Sequence, residues 1–226
     1  REGYPVRGLF SIPFAGLTED GLPTFINQDG QKTISSFNFQ EYEKLDFLKY
    51  EGPTDPTITG SFGNILTYKN LKLNVFVTYS FGNVIRLDPV FSNAYSDLDA
   101  MPKEFKNRWM KAGDENVTNI PTIVSTRMNQ QYAYLNMTYN AYNYSDVRIA
   151  DGGFIRLKEI SLSYDLPAKV INFFRLNKLQ LKLQATNLCL LYADSKLNGQ
   201  DPEFFRSGGV STPVPKQFTF TVRLGL

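Results

Sequence analysis

Asp97, Asp99, Asp114 and Glu115 are the carboxylates whose spacing could serve acid–base chemistry of the glycoside-hydrolysing kind. All four fall in a long polar stretch, where solvated loop carboxylates are the ordinary outcome. The absence of histidine from all 226 residues removes the commonest general base and transition-metal ligand, excluding His-dependent triads and zinc sites. Asn27-Gln28-Asp29-Gly30 has the form of a calcium-loop turn. The first and twelfth ligand positions would be Phe25 and Ser36, however, neither of which carries a carboxylate, so a simple turn is expected. Gly60-Ser61-Phe62-Gly63 lies in strand-like sequence, and no glycine loop is followed by Lys-Ser/Thr, so phosphate binding has no support. No catalytic residue, metal or cofactor is expected, and the chain reads as a non-enzyme. Cys189 is alone and reads as a small hydrophobe.

The unusual chemistry is aromatic: 18 Phe, 13 Tyr and 1 Trp. Tyr132, Tyr134, Tyr139, Tyr142 and Tyr144 crowd one stretch, with Tyr95 and Trp109 upstream of it. On loops, such rings stack on sugars or clamp peptides, making Tyr95, Trp109, Tyr132, Tyr134, Tyr142 and Tyr144 the candidate substrate-binding residues. The alternatives are an interfacial girdle or packing of the loop on itself. Asn116, Asn136 and Asn143 each head a glycosylation sequon, a pattern short enough to recur by chance in an Asn-rich chain.

The elements that would carry these residues are strands. Leu179, Leu181, Leu183, Ala185, Asn187 and Cys189 alternate with Lys178, Gln180, Lys182, Gln184 and Thr186, and Phe218, Phe220, Val222, Leu224 and Leu226 alternate with polar neighbours. Residues 71–81 repeat the pattern. Ile58, Phe62, Leu66 and Tyr68 precede it, with Lys69-Asn70 as a tight turn. Over residues 154–164 the apolar positions switch from odd to even, which predicts a bulge or strand end. A first strand over residues 4–17 is interrupted by Pro5 and Pro13.

These strands are separated by about 40, 2, 65, 12 and 25 residues, far from the ~4–6 usual in compact soluble domains. Short turns on one side and long loops on the other are the plan of an outer-membrane barrel. Helices are expected over residues 103–111, after Pro102, and over 168–175. The longest apolar run, residues 188–193, is far short of the ~18 that a spanning helix needs. No leader-like apolar segment follows Arg1. A net charge of +2 points to neither nucleic acid nor an anionic surface.

Taken in order, residues 9–30 (LFSIPFAGLTEDGLPTFINQDG), 52–62 (GPTDPTITGSF), 68–70 (YKN), 79–82 (YSFG), 108–115 (RWMKAGDE), 154–167 (FIRLKEISLSYDLP), 186–188 (TNL), 201–203 (DPE) and 213–226 (PVPKQFTFTVRLGL) resemble the C-terminal barrel part of SusC/RagA-type TonB-dependent outer-membrane transporters. The resemblance implies an all-β fold, an antiparallel transmembrane barrel segment supplying about the last six of 22 strands, with long extracellular loops. Residues 1–226 would be the C-terminal part of such a barrel, its plug domain outside this chain. The implied activity is energised import of an oligosaccharide or peptide nutrient across the bacterial outer membrane by a multi-pass protein. The implied partners are a SusD-like surface lipoprotein over residues 93–144, TonB–ExbB–ExbD through the N-terminal part, the remainder of the barrel and outer-membrane lipid. Lys178, Gln180, Lys182, Gln184 and Arg223 would face the plug or lumen, and the odd face of 179–189 and the even face of 218–226 the lipid. The chain departs from such barrels in ending on Leu226 rather than Phe. A different class, a soluble β-sandwich acting as a glycan-binding adhesin module, would bury both apolar faces in one dry core.

Overall fold

In the computed structural model, residues 2–36, 46–173, 176–205 and 213–225 are described. Two compact units are present: Arg1–Asp55 with Val84–Ala150, and Pro56–Asn83 with Asp151–Leu226.

The first unit holds strands β1 (Gly8–Ser11), β2 (Phe14–Leu17), β3 (Pro23–Ile26), β4 (Lys32–Thr33) and β5 (Lys49–Pro53). β1 pairs antiparallel with β5, and β2, β3 and β4 form a meander. The single strand expected over residues 4–17 is therefore two strands in different sheets. Pro13 has no N–H to continue a ladder, and Ile12 before it instead exchanges backbone hydrogen bonds with Tyr144 and Asp146. The Asn27 turn forms as expected, its side chain accepting from the amides of Asp29 and Gln31 at 3.0 and 2.8 Å, with Gly30 at φ 73°.

Further along lie α1 (Thr126–Gln131), which Ser125 caps by accepting from the Met128 amide, and α2 (Leu135–Asn143). Residues 103–111 do not form the expected helix: a 3-10 turn covers Lys103–Asn107, and Arg108 is extended. Trp109 beyond it donates its amide to the Ile120 carbonyl at 2.9 Å, pairing across the loop rather than along a helix. Ile12, Leu22, Phe25, Phe91, Val124, Leu135, Tyr139, Ala141 and Tyr142 form the core of this unit. Emptying the site of a fully buried ring such as Phe25 would cost about 3–5 kcal/mol.

The second unit is built on one antiparallel sheet. Taking β8 (Val84–Arg86) and β9 (Ile149–Asp151), paired as a two-stranded ribbon, in their place in the chain, the sheet consists of β6 (Ile58–Tyr68), β7 (Leu71–Phe81), β10 (Phe154–Asp165), β11 (Lys178–Ala193) and β12 (Gln217–Gly225), in the order β12-β11-β10-β7-β6. It is open: these five strands do not close on themselves. Lys69-Asn70 is the tight β6–β7 turn, with Lys69 at φ 51°. α3 (Ala168–Phe173) follows Pro167, as expected for the start of a helix over residues 168–175, of which residues 174 and 175 lie outside the described residues. No helix among the described residues is long and apolar enough to cross a membrane.

The bulge expected in residues 154–164 is real, and it changes the meaning of the sequence pattern. Leu157 pairs with Val77 and Glu159 with Phe76, so Lys158 is an extra residue relative to β7. One inserted residue inverts the side-chain alternation. Ile155 and Leu157 consequently share a face with Ile160, Leu162 and Tyr164, although their sequence parity is opposite. β11 carries its own extra residues there, and Asn187 adopts a left-handed φ of 53° to accommodate them.

Candidate wall face and loop surface

Register assigns every side chain of the five-stranded sheet to one of two faces. On one lie Leu71, Leu73, Val75 and Val77 of β7, Ile160 and Leu162 of β10, Leu181, Leu183 and Ala185 of β11, and Phe218, Phe220, Val222 and Leu224 of β12. This face is uncovered: Phe218 is 77% exposed and Leu183 58%. Cys189 pairs with Leu157 on it and is exposed rather than packed away as a small core hydrophobe.

The apolar band is bounded by rings. Tyr68 and Tyr164 flank Leu71 at one end, and Tyr79, Phe81 and Tyr192 form a contiguous group at the other, with centroids 6.0 and 6.2 Å apart. Leu71 and Tyr79 are eight residues apart in one strand, about 26 Å at ~3.3 Å per residue. Tilted as barrel strands usually are, such a length would cover about 20 Å along a barrel axis, close to the ~25 Å band between the aromatic girdles of transmembrane barrels. Gly60 lies opposite Tyr79, and its missing side chain makes room for the phenol ring.

The opposite face is polar. Lys178, Gln180, Lys182 and Gln184 share it with Arg223, since Gln180 pairs with Arg223, Lys182 with Thr221 and Gln184 with Thr219. The row continues into Asp165, Ser163 and Ser161 of β10 and Lys72 and Asn74 of β7. Gln180 donates to Asp165 at 2.9 Å, and Asn74 to Glu159 at 3.2 Å.

Sequence reasoning did not single out the most buried charge of this face. Arg156 pairs with Thr78 and Leu190, and its side chain is 6% exposed. Its Nη2 donates to both carboxylate oxygens of Asp201, at 2.6 and 2.7 Å, and lies 3.1 Å from Glu203 Oε2. Asp201-Pro202-Glu203 was a visible motif, but its partner 45 residues upstream depends on two register shifts around Arg156 that alternation does not reveal.

In the first unit, the loop aromatics separate into buried and presented rings. Tyr142 is 2% exposed and meets Phe14 and Phe91 edge-on at 5.8 and 5.0 Å, so the expectation that it contacts cargo is corrected: its ring is core. Tyr139 is core as well and donates its hydroxyl to the Thr122 carbonyl. Burial raises the pKa of both phenols. Tyr95 is half-buried against Phe105, its oxygen accepting from the Ser92 amide, and burial raises its pKa too. Tyr132 donates to Asp20 at 3.1 Å, and desolvation, then that carboxylate, raises its pKa. Tyr134, at φ 65°, is 68% exposed, and Tyr144 is 45% exposed beneath the Arg86 guanidinium at 5.0 Å.

Trp109 is held by three features. Its indole Nε1 donates to Glu115 Oε2 at 3.0 Å, the same oxygen accepts from the Gly113 amide at 2.8 Å, and the ring lies over Gly21 so closely that a Cβ there would sit 2.5 Å from Cδ2. Asp114 accepts from the Met110 and Lys111 amides. Asp114 and Glu115, two of the four carboxylates considered for hydrolysis, thus close a turn. Arg148, 3% exposed, pairs with Glu104 and lies 4.8 Å from the Phe91 ring centroid. Among the described residues no group of three or more His, Cys, Asp or Glu side chains could hold a metal.

No protein-family model matches the chain. It is 25% identical over 209 residues to TonB-dependent receptor P3 of Formosa agariphila, covering 89% of this chain and 18% of that protein. Its fold is that of part of a structure of the RagAB peptide transporter, with a TM-score of 0.65 and 21% identity over 96% of this chain and 22% of that one. RagAB structures in the open-open and closed-closed states give TM-scores of 0.64 and 0.63. The chain spans about a fifth of the length of these relatives. In sequence to a TonB-dependent receptor, and in fold to the RagAB transporter, it is similar to a segment of SusC/RagA-type TonB-dependent outer-membrane transporters.

Proposed function

We propose that this chain supplies barrel wall and extracellular loops to a TonB-dependent importer of the bacterial outer membrane. The observation that carries the proposal is the two-faced sheet, with an uncovered apolar band between aromatic rows on one side and a predominantly polar face, interrupted by Ile65, Phe76 and Leu190, on the other. A soluble sandwich buries such a band under a second sheet, whereas lipid covers it without one. The polar side chains Lys178, Gln180, Lys182, Gln184 and Arg223 then face plug or lumen. The strands would form part of a barrel of about 22 strands, completed by chain beyond this one.

The cargo is an oligosaccharide or a peptide, and the fold likeness to a peptide transporter supports the peptide. Tyr134 and Tyr144, with the exposed edges of Tyr95, Trp109 and Tyr132, are the rings able to touch it or a SusD-like lipoprotein seated on residues 93–144. TonB–ExbB–ExbD would act through the N-terminal part of the full-length protein. Alternate cysteine substitution tests the wall. In a Cys189→Ser background of the full-length protein in its membrane, a hydrophilic thiol reagent is expected to modify Lys182→Cys and Gln184→Cys but not Leu181→Cys or Leu183→Cys. Equal modification of both sets, or extraction of the protein by carbonate, refutes the reading.

A further inference from the structure

The stretch after β11 is tied to the sheet from one side. Asp194 accepts from the Asp151 amide at 2.8 Å and caps a 3-10 turn at Ser195–Leu197, within which Leu197 is 1% exposed. A left-handed Asn198 and Gly199 reverse the chain, and Asp201 caps a second turn, Pro202–Phe204, with Pro202 buried. Asp201 is also the carboxylate that receives Arg156, each side chain under 10% exposed. Arg156 lies in the same cross-strand row as Thr78 and Leu190, opposite in face to Leu157, Val77 and Cys189. The pair is thus made on the polar face.

We infer that residues 194–205 form a strap folded inward over the polar face, pinned there by Arg156 and Asp201, so that the passage is narrowest beneath it. The inference rests on the polar face being the lumen side. Its physical basis is the asymmetry of buried ion pairs: removing one partner strands the other charge in a low-dielectric site, while removing both does not. Arg156 is a positioning residue, since it acts through Asp201. The strap it positions carries Lys196, Gln200 and the half-exposed Glu203 at exposed positions.

Trypsin cleavage at Lys196 in intact cells reads the state of the strap, because cleavage tracks the population of the released form. R156M and D201L are each expected to raise the cleavage rate about tenfold or more, and the R156M/D201L double variant to fall back towards the parent, as expected for two residues that act as one pair. Heat-modifiable migration in electrophoresis confirms that each variant retains its barrel. A second measurement needs no change at the pair. In the Cys189→Ser protein, Gln200→Cys is expected to react with a small maleimide but at least about tenfold more slowly with a bulky one, the difference vanishing with R156M. Unchanged cleavage in both single variants, or equal reaction of Gln200→Cys with both reagents, overturns the strap. Failure of the wall reading is read separately, as equal labelling of Lys182→Cys and Leu183→Cys.

Discussion

Asn143 and the backbone of Phe91 form a closed amide pair: Asn143 Nδ2 donates to the Phe91 carbonyl at 2.7 Å and Oδ1 accepts from the Phe91 amide at 3.1 Å. The residues are 52 apart in sequence, and the bond ties the end of α2 to the strand-free segment that carries the Phe91 ring into the core. Asn143 is 4% exposed, so its sequon amide is consumed by the fold.

Replacing Asn143 by Ala should therefore leave one buried N–H and one buried C=O without partners. Each such group costs about 1–3 kcal/mol, so the loop unit should lose about 3 kcal/mol. The check is the midpoint of urea-induced protease sensitivity within residues 84–150, compared with sensitivity in the strands of the sheet. Loss confined to the loop unit is expected. An unchanged midpoint would show that the pair contributes little.

Trp109 is the single tryptophan, so its emission reports on one place. Gly21 sits at φ 76° beneath the indole, where a side chain is both strained and in collision with the ring. Gly21→Ala should unseat the indole and shift its emission to longer wavelength. The Glu115 carboxylate is held below its ordinary pKa by backbone amide hydrogen bonding first and by the Trp109 indole next. A depressed carboxylate stabilises its turn above the unfolded pKa and loses that contribution as pH falls through the folded value. The red shift on acidification should therefore have its midpoint below the ordinary glutamate range, and Glu115→Ala should abolish that transition.

Gly60 and Tyr79 offer a test within the sheet. A Cβ on Gly60 would meet the Tyr79 phenol, so Gly60→Val should displace the ring from the aromatic row. Cross-strand pairs contribute roughly 0.2–1 kcal/mol, and the loss should be about 1 kcal/mol in the thermal stability of the protein. Combining Gly60→Val with Tyr79→Ala should cost less than the sum of the single changes. Strict additivity would show that the ring does not depend on the gap beneath it.

Alternation made β6, β7, β12 and the part of β11 over residues 178–186 readable, because there the pairing runs with β7, β6, β11 and β12 respectively without a register shift. β10 was readable only as a disturbance. Leu157 and Ile160 have opposite parity in sequence until the extra Lys158 is counted against β7, and that count exists only in the paired sheet. The same limit hid Arg156, whose face is set by shifts on either side of it. In the loop unit the aromatic cluster was visible, but its division was not. Tyr142 is buried and Tyr134 presented because α2 turns its Tyr139 and Tyr142 side towards Phe25 and Phe91, while Tyr134 precedes the helix in a left-handed conformation. Pro102 and the residues after it suit a 3-10 turn at Lys103–Asn107 as well as a helix, and the decision falls to Trp109 pairing with Ile120.

The burial of Tyr139 and Tyr142 predicts how the loop unit responds to alkali. Desolvation raises both phenols well above the ordinary tyrosine value, because an unsolvated phenolate is costly. A raised acid favours the protonated, folded form, so the contribution is fully present below the unfolded pKa of about 10 and is lost as pH rises beyond it. Titration followed by phenolate absorbance checks this against the unfolded value of about 10. Tyr139 and Tyr142 should ionise only in a later, cooperative step that coincides with loss of the near-ultraviolet dichroism of the core. Tyr139→Phe removes one late phenol together with its hydrogen bond to the Thr122 carbonyl, so it should reduce the amplitude of that step. Ionisation of Tyr139 and Tyr142 near pH 10, with the dichroism intact, would show that these rings are accessible to water and that the loop unit lacks the dry core described above.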